Sequence, residues 1–237
     1  MMPLHHPDPS PSIAAIAGVA LCATTAISGA CRGAAEAGSA DAKTTLATRK
    51  AEPPPKDREV ATFAGGCFWC MEPPFDAVDG VEKTISGYTG GPERGPSYRQ
   101  VASGRTGHAE AIRVIYDPDE VDYETLLQVF WRNVDPTDPG GQFVDRGRQY
   151  RTAIFVHDAR QRKAAERSKK ELERSSRFER PIVTEIVSAG PFWVAEDYHQ
   201  DFYEKSPGRY KSYRRGSGRD QYIRKKWGER KGERARP

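Results

Sequence analysis

Residues 108–134 switch from one hydrophobic period to another within a few positions, and that switch limits the fold more than any other feature of the chain. In "HAEAIRVIYD", Glu110, Ile112, Val114 and Tyr116 share one face, while Ala109, Ala111, Arg113 and Ile115 share the other. A period of two is a β-strand. Just beyond it, Tyr123, Leu126, Leu127, Phe130, Trp131 and Val134 recur at helical spacing as one apolar stripe, with Asp122 in the N-cap position. A strand with one apolar face and a helix with one apolar stripe bury those surfaces most simply against each other. The alternation recurs along the chain. Residues 59–65 ("EVATFAG"), 81–88, 149–157 ("QYRTAIFVH") and 181–188 read as strands, the third with Tyr150, Thr152, Ile154 and Val156 on one face. Helices are expected after Cys67, from Asp158 to about Ser175, and over 195–205; the Gly/Pro/Ser-rich stretch through Gly107 reads as loop. The expected class is α+β, a two-layer sandwich with helices on one sheet.

Within that frame Glu110 is the odd residue, a carboxylate aligned with Ile112 and Val114. Either it is desolvated and holds its proton to unusually high pH, or it sits at the strand's wet end beside an arginine.

The ends differ from the middle. No charge occurs from Pro9 to Cys31, and residues 13–30 are small and apolar, ending in Ser28-Gly29-Ala30. This is the pattern of a secretory signal, although the first ten residues lack Lys and Arg and contain Asp8. Cys31 follows as it would in a lipoprotein signal, which would attach the protein to a membrane. The expected division is a signal over 1–31, a disordered tether over 32–57, a catalytic domain over 58–228 and a basic tail over 229–237. The expected destination is the periplasm or cell envelope; the alternative is a cytoplasmic protein with an Ala-rich leader. Residues 205–237 hold 13 Lys/Arg against 3 Asp/Glu, which leaves −6 for the rest of a chain whose net charge is +4. We read that surplus as a solvated surface, with no nucleic acid as partner.

Four cysteines occur, and Cys22 and Cys31 belong to the N-terminal segment. Cys67 and Cys70 alone cannot form a disulfide framework, and a zinc site would need two more ligands. His108, His157 and His199 show no paired spacing, so no metal is expected. Gly65-Gly66 breaks the strand before Cys67 and puts it at a helix N-terminus, where free N–H groups favour a thiolate. Taken alone, Phe68 and Trp69 read as core, and Tyr98 and Tyr150 as ordinary buried tyrosines.

Seven blocks in order carry a resemblance: "GCFWC", "GYTGG", "SYRQV", "TGHAEAIRVIYDP", "LLQVFWRNVDP", "DRGRQYRTAIF" and "AEDYHQDF". Over nearly all of 58–228 the chain resembles the A-type peptide methionine sulfoxide reductases. The resemblance implies a ferredoxin-like mixed sheet core, no bound cofactor, a monomer, and reduction of the S epimer of methionine sulfoxide, free or in proteins, with a thioredoxin-family reductant. It matches Cys67 to the nucleophile, Glu110 to the proton donor, and Tyr98 and Tyr150 to phenols that bind the sulfoxide oxygen. Asp145 matches a carboxylate that orders the site, and Phe68 and Trp69 match the walls around the substrate methyl group.

The chain departs from the family pattern in two places. No cysteine follows Cys70, so Cys70 is the internal candidate for the resolving thiol, an external thiol being the alternative. Gln142-Phe143-Val144 precede Asp145 where a small polar stretch is usual. Two other functions remain at this level, a thioredoxin-like dithiol oxidoreductase using Cys67–Cys70 and a non-enzymatic envelope binding module.

Overall fold

The computed structural model describes residues 48–228; the expected signal, Cys31, most of the expected tether and the tail over 229–237 lie outside the described residues. In chain order the elements are β1 (Glu59–Gly65), α1 (Phe68–Asp76), β2 (Val81–Thr89), α2 (Tyr98–Ala102), β3 (Ala109–Tyr116) and α3 (Tyr123–Arg132). There follow β4 (Gly141–Gln142), β5 (Asp145–Arg146), β6 (Thr152–Val156), α4 (Ala159–Arg174), β7 (Glu185–Ser188) and β8 (Trp193–Val194). Three helices close the domain, α5 (Phe202–Lys205), α6 (Pro207–Gly216) and α7 (Arg219–Trp227).

Six strands form one mixed sheet in the order β7-β6-β1-β3-β2-β8. Only β6 and β7 run parallel, and α4 supplies the crossover that a parallel pair requires. The alternating strand, β3, lies in the middle with Phe63 opposite Ile112 and Tyr88 opposite Glu110. Its Ile112 face meets the stripe of α3. Phe63 lies between Phe75 at 5.2 Å, Phe130 at 5.2 Å and Tyr123 at 6.1 Å, and the three phenylalanines are fully buried. Each such ring contributes about 1.5–3 kcal/mol on leaving water. The other face carries small side chains, Ala64, Ala109, Ala111 and Ala153, under Phe155 and Phe192. Helices therefore pack closely on one side only, and the expected α+β sandwich is what forms. Asp122 caps α3 as expected, accepting from the Thr125 amide, and Asp158 caps α4, accepting from the Gln161 amide, both at 2.7 Å.

Several boundaries differ from the sequence expectation, each for a local reason. The loop before Gly107 contains α2, started by a capping box of Ser97 and Gln100. The strand over 149–157 begins only at Thr152, because Arg148–Tyr150 form a 3-10 turn that takes Tyr150 off the strand face. Residues 181–184 join no strand; the Val183 amide bonds Pro136 O at 2.8 Å instead. Of the helix expected over 195–205 only α5 is helical, because Gln200 ties the preceding segment to β2 through Ser86 N and Ser86 O, both at 2.9 Å. The C-terminal end of the expected tether docks on the domain: Val194 N bonds Arg49 O at 2.9 Å and Ala51 N bonds Phe192 O at 2.8 Å, which covers the open edge of β8. Finally, the basic stretch after Lys205 is not merely a solvated surface. It folds into α6 and α7 and sends Arg219 into the interior.

Candidate active site

The site is built where β1 turns into α1, and two glycines make that turn. Gly66 has φ +84°, and a Cβ there would lie 2.6 Å from Gln142 Cβ; one on Gly65 would lie 2.6 Å from Met71 Cε. With no side chains in the way, Cys67 takes the N-cap of α1 and Phe68 its first helical position. The first amides of a helix have no partner within it. The Phe68 amide finds one in Glu110 Oε2, 3.2 Å away. Glu110 is only 1% exposed, and burial, only partly offset by this bond, pushes its carboxyl up to about 8. The choice left open by the sequence is thereby decided: Glu110 is desolvated and makes no ion pair among the described residues.

Cys67 and Cys70 are free thiols, 7% and 1% exposed. They are hydrogen-bonded to each other and ionise as a unit. The bond from Cys67, followed by the charges of Arg219 and Arg214, outweighs burial and pulls Cys70 down to about 6. Burial pushes the remaining proton, on Cys67, the other way. Two prolines inside α1 shape the surroundings. Pro74 lacks the N–H that would bond the Cys70 carbonyl, and Arg214 Nη1 of α6 donates to that carbonyl instead, at 2.8 Å.

Tyr98 and Tyr150 come from opposite segments. The Tyr98 amide donates to Glu196 Oε1 and the Tyr88 hydroxyl to Glu196 Oε2, both at 2.8 Å, which pins the start of α2. Gln149 Nε2 bonds Ala102 O at 3.0 Å and holds the turn bearing Tyr150 against α2. Burial and then the Glu110 carboxylate push Tyr98 up to about 12 and Tyr150 higher still, so both phenols remain hydrogen-bond donors. Asp145 accepts from the Tyr213 hydroxyl and is raised by burial against that bond. Phe68 is buried, and Trp69 stacks on Phe202 at 3.7 Å while donating Nε1–H to His199 Nδ1 at 3.1 Å. Burial pushes His199 down to about 4, so it accepts that bond as a neutral ring.

All eight residues singled out in the sequence thus meet around one point, and charges on Cys67, Glu110 and Asp145 act on Tyr98 and Tyr150 alike. The sequence reading missed Tyr213, Arg214 and Arg219. Their signal was present but faint, tyrosines at 210, 213 and 222 interleaved with the cations of an apparently polar tail. Such an arrangement can present a thiolate, a neutral carboxyl and two phenols to one oxygen-bearing atom beside an aromatic wall.

Comparison with known proteins agrees with the geometry. The family model "Peptide methionine sulfoxide reductase" matches residues 59–231. The chain is similar to the peptide methionine sulfoxide reductase MsrA of Bacillus licheniformis, 56% identical over 171 residues that cover 72% of this chain and 94% of that one. It is also similar to MsrA of Bacillus subtilis, 54% identical with 72% and 97% covered. Among solved structures, reduced Mxr1 from Saccharomyces cerevisiae superposes with a TM-score of 0.61 at 31% identity, covering 66% of this chain and 90% of that one. Methionine sulfoxide reductase A of Corynebacterium diphtheriae superposes with a TM-score of 0.58 at 33% identity, covering 65% and 77%.

Proposed function

The chain belongs to the peptide methionine sulfoxide reductase family and reduces methionine sulfoxide in a thiol-dependent reaction; we propose that Cys67 is its nucleophile, Glu110 its acid and the S epimer its substrate. The observation that carries the reading is a neutral, buried carboxyl hydrogen-bonded to the amide next to Cys67. Sulfoxide sulfur is a poor electrophile until its oxygen is protonated or strongly hydrogen-bonded. Glu110, with the phenols of Tyr98 and Tyr150, supplies that donation, and the Cys67 thiolate forms when its proton crosses to Cys70. Attack on sulfur moves the oxygen to Cys67: the cysteine is oxidised by two electrons to sulfenic acid, and the substrate is reduced by two to methionine. Phe68 and Trp69 receive the methyl group, and Asp145 orders the site.

In our reading Cys70 then displaces the sulfenic oxygen as water and leaves a Cys67–Cys70 disulfide, which a thioredoxin-family dithiol reduces. Export to the cell envelope, with Cys31 as lipid attachment point, belongs to the same proposal and rests on the uncharged N-terminal segment. A thioredoxin-like oxidoreductase and a non-enzymatic module are not favoured, since the similarity to reductases runs the length of the domain. The test is consumption of dabsyl-methionine S-sulfoxide under dithiothreitol. Wild type should consume it and Cys67→Ser should not; equal, slow consumption by both would refute the assignment of Cys67.

A further inference from the structure

Arg219 is a buried cation with no carboxylate in ion-pair contact among the described residues. It enters from α7, is 1% exposed, and makes no ion pair within 4.0 Å among the described residues. Its hydrogen bonds go to neutral acceptors: the Asn133 carbonyl, the Gly65 carbonyl at 3.0 Å and Met71 Sδ at 3.4 Å. Its Nε has no hydrogen-bond partner among the described residues. Nη2 lies 3.0 Å from where a Cβ on Gly66 would be, so the guanidinium sits against the residue preceding Cys67. Burying a guanidinium costs several kcal/mol unless a negative charge is close. Arg214, its neighbour on α6, already has Asp220 at 2.7 Å. The anions left to balance Arg219 are Asp145 and the cysteine pair.

We propose that Arg219 is a positioning residue for the second half of the reaction: its buried charge holds Cys70 as the thiolate that attacks the Cys67 sulfenic acid. In that step the Cys70–Cys67 S–S bond forms and the S–O bond of the sulfenic acid breaks. Cys70 gives up the proton it took from Cys67, and the leaving hydroxide takes up that proton and departs as water, so no outside oxidant or reductant is needed. The groups facing Cys70 are Cys67 at the N-cap, Glu110 on β3, Asp145 on β5, Tyr210, Tyr213 and Arg214 on α6, and Arg219 on α7. Glu110 and Asp145 oppose a negative charge there, and the two arginines favour it. Arg214 has a carboxylate in direct contact, Asp220 at 2.7 Å, whereas Arg219 has none within 4.0 Å among the described residues and feels Asp145 only from further off. The stretch that looked like a solvated tail is therefore tied to turnover. The inference rests on the reading of Cys70 as resolving thiol.

The experiment is a single turnover of the full chain with one equivalent of a peptide methionine S-sulfoxide and no reductant, from pH 6 to 9.5. Methionine release reports the first step, and acid quench, alkylation and mass spectrometry report the disulfide. Once methionine has been released, wild type should convert the sulfenic acid to the disulfide with a rate constant nearly flat from pH 7 upward. In Arg219→Gln that rate should fall about tenfold or more at pH 7, exceed any loss in methionine release, and recover toward wild type by pH 9.5, as for an ordinary thiol. Arg219→Lys, which keeps the charge, should retain the wild-type profile. An Arg219→Gln profile parallel to wild type would overturn the role of Arg219 while leaving Cys70 as the resolving thiol. Absence of any disulfide in wild type would instead overturn the Cys70 reading, and this proposal with it. Should Arg219→Gln fail to fold, the wild-type profile still decides: a rate climbing about tenfold per pH unit to pH 9 overturns the proposal.

Discussion

Replacing Glu110 by Gln should stabilise the protein, and by an amount that grows with pH. The side chains have nearly the same shape, and the amide oxygen can still accept from the Phe68 amide. What disappears is a carboxyl whose folded value is about 8 against an ordinary 4.5. Between those values the folded protein keeps a proton that the unfolded chain has released. The stabilising proton uptake is fully present below 4.5 and is lost as pH rises toward and through 8. At about 1.4 kcal/mol per pH unit, the wild type loses roughly 3 kcal/mol from pH 5 to pH 8 through this one group. Glu72, buried and raised to about 8, adds a slope of the same sign, but it is present in both proteins and cancels in the difference. Urea unfolding of wild type and Glu110→Gln at pH 5 and pH 8, with unchanged m-values, measures the effect. The gain from Gln should be small at pH 5 and about 3 kcal/mol larger at pH 8. A difference between the two proteins that does not change with pH would mean that Glu110 is ionised in the fold, and the argument for a resident acid would fail.

Activity should separate the same residue's roles: Glu110→Gln retains most of it because the amide still donates to the sulfoxide oxygen, while Glu110→Ala loses most, as dabsyl-substrate kinetics would show. Tyr98→Phe and Tyr150→Phe should each lower kcat/KM by about 10- to 100-fold, less than the loss of a sole donor, because three groups share one oxygen. Gly66→Ala should destabilise by about 1–3 kcal/mol in urea, since its φ is +84° and its Cβ would meet Gln142. Asp122→Ala should cost about 1 kcal/mol, the worth of a cap that accepts from the Thr125 amide.

What could be read from the sequence followed the strength of the local pattern. The period change between β3 and α3 fixed both elements, and it marked Glu110 because a carboxylate there broke the apolar row. Gly65-Gly66 marked the turn at Cys67. Tyr150 was put on the wrong surface, because alternation alone does not reveal that Arg148–Tyr150 close a 3-10 turn. Arg214 and Arg219 were hidden for a different reason: charge counting treats a cation as solvated. Their burial depends on partners far off in the chain, the Cys70 carbonyl that Pro74 leaves unbonded and the carbonyls of Gly65 and Asn133. The docking of Arg49–Ala51 was equally non-local, since only the finished sheet has an open edge at β8.

The central claim is that oxygen leaves the substrate for Cys67, and one measurement tests it directly. Cys70→Ser, which cannot close the disulfide, is given one equivalent of a peptide methionine S-sulfoxide without reductant, then quenched with a sulfenic-acid trap and mapped by mass spectrometry. The account predicts one methionine released per enzyme and one trapped sulfenic acid, mapped as the trap's adduct on Cys67. Methionine released with Cys67 unmodified, or the same yield from Cys67→Ser, would contradict it.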